Sequence, residues 1–194
     1  MQIPFDQWAP ITVPEVVHQF AGAPFKWGLA GGHAIEQFLG RTVREHKDID
    51  VLVLRQDQLL LQRWLTPDWQ LFAADPPGLL RQWQPDEYLH IGIHDVWAHR
   101  KGIQFWQLQI MLMETEGNRW YSRRDPRVGG NSDQLIVLYG SVPCIRVEVQ
   151  LLFKSKNHRE KDDVDFEACL PQLSGDAKLW LGQNLQLLNP EGHP

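Results

Sequence analysis

Cysteine is scarce in this chain: Cys144 and Cys169 are the two among 194 residues. They fall in different predicted elements, and neither has metal-ligand spacing around it, which excludes a disulfide framework and a thiolate zinc site. Both are expected to be reduced, buried thiols. Long apolar runs are missing as well, since no stretch reaches the roughly 18 residues that a membrane helix needs. The opening "MQIPFDQWAP" carries no basic stretch followed by an apolar one, so no signal peptide is read there. A soluble, cytoplasmic protein with no membrane partner is the expectation. Nor is there an excess of basic charge: 19 Lys and Arg against 24 Asp and Glu leave a net charge of -5, which argues against general nucleic-acid binding. No internal repeat or low-complexity tract occurs.

What is present suits one ordinary globular domain, with 43% hydrophobic and 22% charged residues. "TVPEVVHQFAG" has Thr12 and Glu15 in capping-box spacing and closes on glycine, so a first helix is predicted. "FKWGLAGG" reads as a strand entering a turn, "HAIEQFLG" as a helix and "DIDVLVL" as the next strand. "QDQLLLQRWL" reads as a second helix between strands. "WQLFAAD", "YLHIGIHDVWAHR" and "FWQLQIMLME" read as strands parted by "DPPG" and "RKG" turns. After "RRDPRVGGNS" the pattern turns mostly helical. The fold class expected is therefore α+β: a mixed β-sheet flanked by helices over residues 1–145, with a C-terminal helical cap over 146–194 packed on it as one structural unit.

The chemistry concentrates in "GLAGGHAIEQFLGRTVREHKDIDVLVL". If "DIDVLVL" is one strand, Asp48 and Asp50 project on the same face and repel unless a divalent cation lies between them. Hard carboxylate oxygens suit magnesium carried in with phosphates. Gly31 and Gly32 allow close backbone approach, and the free amides opening the following helix point at an anion. The alternative is plainer: Asp48 caps a strand, Asp50 pairs with an arginine, and the glycines only turn the chain.

The run W-x-L-x-G-G-H-A-I-x-x-F-L-G-R-x-x-R-x-H-x-D-I-D resembles the nucleotidyltransferase superfamily that includes DNA polymerase β. The likeness is closest to the branch of aminoglycoside 2″-adenylyltransferases and lincosamide nucleotidyltransferases. "YSRRDPRV" and "VPCIRVEVQLLFKSKNHREKDDVDF" extend it over roughly residues 27 to 166. The resemblance implies a nucleotidyltransferase fold and a magnesium-dependent enzyme, of one- or two-metal type, using an NTP such as ATP. It implies attack by the hydroxyl of a small-molecule acceptor, aminoglycoside-like or otherwise, on the α-phosphate, with release of pyrophosphate. Asp48 and Asp50 are then the metal ligands. Gly31, Gly32, His33, Arg44, Lys154 and Lys156 surround the nucleotide, and Glu148 is the candidate base.

One position departs from the superfamily pattern. A third carboxylate is usual on a neighbouring strand, and in "FWQLQIMLME" its place falls on Gln109. A neutral amide binds magnesium weakly and is no base at neutral pH, so either Asp95 or Glu148 substitutes or the fold binds nucleotide or a partner without turnover. His90 and His94 share a face if their segment is a strand, but no third ligand is spaced to complete a zinc site. Of the nine tryptophans, Trp27, Trp97 and Trp106 read as core, whereas Trp64, Trp69, Trp83 and Trp120 are candidates to line a groove. Oligomeric state is not legible.

Overall fold

The computed structural model describes residues 3–156 and 159–189. Residues 1–2, 157–158 and 190–194, which include parts of the predicted N-terminal segment and helical cap, lie outside the described residues. The chain runs α1 (Val13–Gln19), β1 (Trp27–Ala30), α2 (Gly31–Leu39), β2 (Asp50–Leu54), α3 (Gln58–Leu65), β3 (Trp69–Ala74), β4 (Leu80–Gln82), β5 (Asp95–Arg100) and β6 (Leu108–Met113). It continues through β7 (Thr115–Glu116), β8 (Arg119–Tyr121), β9 (Gly129–Asn131), β10 (Ile136–Tyr139), β11 (Val142–Ile145), α4 (Val147–Lys154), α5 (Glu160–Cys169) and α6 (Gly175–Leu188). The α+β expectation holds.

Eight strands form the main sheet in the order β10-β11-β1-β2-β6-β5-β3-β4, and β7-β8-β9 form a small second sheet. β1 and β11 are parallel, as are β2 and β6, while β1–β2 and β5–β6 are antiparallel, so the sheet is mixed. One face is continuous hydrocarbon: Val51, Val53, Ile110, Leu112, Val96 and Ala98 are all buried. The opposite face, one residue out of step, carries Asp50 beside Gln109 and, in the next row, Leu52 beside Met111 beside Asp95. Alternation of side chains thus separates the core from the chemistry.

Local signals explain most helix ends. α1 has its capping box, with Thr12 accepting from the Glu15 amide and Glu15 from the Thr12 amide. α2 stops where Gly40 takes the left-handed conformation, φ 65. α6 starts at Ser174, whose hydroxyl accepts from the Ala177 amide. α4 packs on α2, α5, α6 and β11, so the C-terminal helices attach to the sheet through α2 and α4.

Several elements differ from the sequence reading. β2 begins at Asp50, leaving Asp48 in the preceding loop, and α2 begins at Gly31 rather than after the glycine pair. The segment 88–94 is irregular, so His90 and His94 do not share a strand face. His90 instead accepts from the Gly92 amide, and His94 lies 2.9 Å from Asp95. The hairpin β10–β11 was not foreseen in "IVLYGSVPCI"; its turn at Gly140, φ 61, is a sequence cue that a helical reading of the region passes over. Trp69, Trp83 and Trp120 are buried in the core and line no groove.

Candidate active site

Asp50 opens β2 with Ala30 opposite it on β1 and Gln109 opposite it on β6. Gly31 follows Ala30 at φ 64, and a Cβ there would lie 2.0 Å from Asp50 Oδ2. The glycine is therefore required twice, by its backbone conformation and by the carboxylate packed on it. Gly32 is required by its neighbours too: a Cβ would fall 2.1 Å from the His46 ring and 2.7 Å from Arg44 Nη2. The Gly31 amide is already engaged, donating to Gln150 Oε1 of α4 at 2.8 Å. That bond ties the helical cap to the glycine turn.

Burial, and then the charges of Asp48 and Asp95, push the Asp50 carboxyl up to about 7; Lys154 and Lys161 pull the other way. Two further carboxylates thus bear on Asp50 from the loop before β2 and from β5, and the two lysines do not offset them and the burial. A divalent cation would offset that charge, and an all-oxygen donor set fits magnesium.

Gln109 stands where the third carboxylate was expected. Its amide nitrogen donates to Asp95 Oδ1 at 3.3 Å, and Asp95 lies one row further along on β5, opposite Met111. Of the two proposed substitutes, Asp95 is the one whose charge reaches Asp50. Glu148 is placed differently: it is buried, paired with Arg146, and its charge acts on the Tyr139 phenol, which burial chiefly pushes up to about 12.

The predicted cations separate in the same way. Arg44 lies against Gly32, and its Nε and Nη2 grip both oxygens of Asp165 at 3.1 and 2.9 Å. Lys154 is nearly buried between Asp162 and Asp165, 2.8 and 2.9 Å away. Burial opposes charge on Asp162, but hydrogen bonds from Arg159 and Lys154 hold its carboxyl well below the usual range. Lys156 is exposed and stands at the edge of a cavity on the other side of Asp50. Lys161, in the first turn of α5, was not singled out in the sequence. It is exposed, has no ion pair among the described residues, and its charge reaches both Asp48 and Asp50. The signal was present in the K-D-x-x-D run, whose aspartates are those that occupy Lys154.

His33 packs against His46 with tilted rings, centroids 4.3 Å apart, and burial, then the His46 charge, lower its pKa. With Glu36 these histidines bring ligand atoms within 4.8 Å of one another. Arg44 Nη1 already meets His46 Nδ1, and Glu36 accepts from the Val43 and Arg44 amides. The trio therefore braces the loop that delivers Asp48.

Comparison with known proteins bears on the family and the fold. The description aminoglycoside-2″-adenylyltransferase matches residues 12–169. Among solved structures, the lincosamide antibiotic adenylyltransferase LnuA, lincomycin-bound, superposes with a TM-score of 0.55 at 19% identity, covering 84% of this chain and 96% of that one. ANT(2″)-Ia in complex with adenylyl-2″-tobramycin superposes with a TM-score of 0.55 at 14% identity, covering 89% and 95%. These likenesses are of fold. No curated protein matches.

Proposed function

The chain belongs to the aminoglycoside-2″-adenylyltransferase family, and on that premise we propose that it transfers a nucleoside monophosphate from an NTP, ATP in the first instance, to the hydroxyl of a small-molecule acceptor. The observation that carries the reading is the Asp50 carboxyl, raised by burial and then by the charges of Asp48 and Asp95, packed against a glycine turn that opens a helix. Magnesium, when bound, neutralises the phosphates and polarises the α-phosphorus.

In this reading Asp48 and Asp50 hold the metal. Gly31, Gly32 and the start of α2 face the β and γ phosphates, with Lys161 and Arg44 as the cations nearest them and His33 packed beside them. Lys154 acts indirectly: it fixes Asp165, which fixes Arg44. Asp95, on the acceptor side of Asp50, takes the hydroxyl proton. A bond forms from that oxygen to the α-phosphorus, and the bond to the bridging oxygen of pyrophosphate breaks with its electron pair.

The testing experiment is a calorimetric titration of ATP with magnesium and with chelator, followed by turnover with labelled ATP and an acceptor panel. Binding is expected only with magnesium, and Asp50→Asn is expected to weaken it. Equal affinity in chelator would overturn the metal assignment. Asp95→Asn is expected to lower turnover about 10²- to 10⁴-fold with binding kept, the size of a lost general base. Glu148→Gln is expected to leave turnover within a few fold. The reverse pattern would return the base to Glu148.

A further inference from the structure

A cavity of about 270 Å³ opens on the functional face, beyond Asp50 from the glycine turn. Its floor is apolar: Leu52 and Met111 come from the row next to Asp50, with Met113, Phe153 and Tyr121 around them. The glycine turn and α2 stand on the β1 side of Asp50, whereas the cavity is lined from β2, β6 and β5. A triphosphate laid on α2 therefore leaves this space to the second substrate.

The charges around the cavity are unbalanced. Of its acids, Glu114 is spent on Arg55, which grips it through Nε and Nη2 at 2.5 and 2.7 Å. Asp95 is engaged by His94 and Gln109. Its cations are less fully engaged: Arg123 feels the charges of Glu114 and Asp95 but, like Lys156, makes no ion pair among the described residues, and Arg124 spends Nη1 on the Leu152 carbonyl and Ser155 hydroxyl. A polycation entering here meets three like charges, Arg123, Arg124 and Lys156, against two carboxylates that are both already engaged, which is unfavourable at short range.

We propose that this cavity is the acceptor seat, and that it takes a hydroxylated compound bearing a carboxylate or phosphate beside an apolar ring, in preference to a polyamine-bearing sugar. The apolar floor takes the ring, Arg123 and Lys156 take the anion, and the hydroxyl lies toward Asp95. The inference rests on the transferase reading of Asp48 and Asp50, and the experiment separates the two.

The full chain in magnesium buffer is titrated with 4-nitrophenyl β-D-glucuronide, with the uncharged 4-nitrophenyl β-D-glucoside, and with tobramycin; magnesium–ATP is titrated in parallel. The glucuronide is expected to bind about tenfold tighter than the glucoside, the size of one charge-assisted hydrogen bond, with tobramycin weakest. The double variant Arg123→Gln, Lys156→Gln is expected to erase that preference while leaving glucoside affinity and magnesium–ATP binding unchanged. Tobramycin binding tightest, equal affinity for the two glycosides, no binding of either, or displacement of the glucuronide by magnesium–ATP would each overturn the proposal. Loss of magnesium–ATP binding alone, with the glucuronide preference intact, would refute the transferase reading and leave the selectivity of the cavity standing.

Discussion

Asp50 holds its proton more tightly in the fold than in the unfolded chain, its carboxyl standing at about 7 against 3.8. The sign of its effect on stability follows. Below about pH 4 the group is protonated in both states and costs nothing; between 4 and 7 the unfolded chain ionises first and stability falls; above 7 the full penalty is present. Asp50→Asn removes it. In chelator at pH 8 that variant is expected to be about 1–3 kcal/mol more stable than the parent and equal to it near pH 4, as read from urea titrations. A destabilised variant at pH 8 would show that the carboxylate is not under strain. Gly31→Ala tests the other side of the contact. With φ 64 and a Cβ 2.0 Å from Asp50 Oδ2, it is expected to cost about 1–3 kcal/mol and to abolish magnesium-dependent nucleotide binding. The glycine pair and both aspartates were legible in the sequence. The packing of Asp50 on Gly31 was not, because antiparallel pairing across 18 intervening positions brings the two together, and no periodicity records it. The cysteines read correctly as buried; burial pushes both thiols up to about 12, so neither is expected to react with iodoacetamide at pH 8 until the protein is unfolded.

Between elements, the contact of α4 with α5 is ionic where most others are apolar. Lys154 faces two carboxylates, Asp162 and Asp165, and all three side chains are nearly buried. Removing one charge leaves the others uncompensated, so Lys154→Met is expected to cost about 3–5 kcal/mol. The depressed Asp162 carboxyl contributes stability that is complete above the usual carboxylate range and is lost as pH falls through its lowered value. That acid arm of the pH–stability curve is expected to flatten in Lys154→Met. A variant within about 0.5 kcal/mol of the parent would show that the ion pairs are ornamental. The charge run "REKDDVDFE" was legible as a helix with two readings, a solvated face or internal pairing. Charge spacing cannot say which partner arrives from another helix, and so Lys154 was read as a phosphate ligand while Lys161 was passed over. Strands fared likewise: β2, β3 and β6 show strong β-branched or alternating patterns, whereas β7, β8 and β9 are two or three residues long and have no period to read.

At the scale of the molecule, the predicted division into a core over 1–145 and a helical cap over 146–194 gains a mechanical reading. α4 is fastened to the glycine turn by Gln150 and to the sheet beside β11, and α6 rests on α4. One cooperative unit is the expectation. Calorimetric and van't Hoff enthalpies of unfolding should agree, and two resolved transitions would show that the cap melts by itself. The N-terminal arm joins the same unit, since Trp8 packs on Trp97 with centroids 4.8 Å apart and the Trp106 indole donates to the Pro4 carbonyl.

The pairing of β1 with β11 also orders events in time. Leu29 lies beside Cys144, and the Gly31 amide finds its acceptor on Gln150, 119 residues away. A nascent chain therefore emits its glycine turn early and must carry it unfinished until most of the sheet has been made. The local meander from β3 through β6 can assemble meanwhile; closure of the first strand cannot. The glycine turn is thus completed late, and a refolding experiment that follows amide protection is expected to see Gly31 become protected after the strands of that meander.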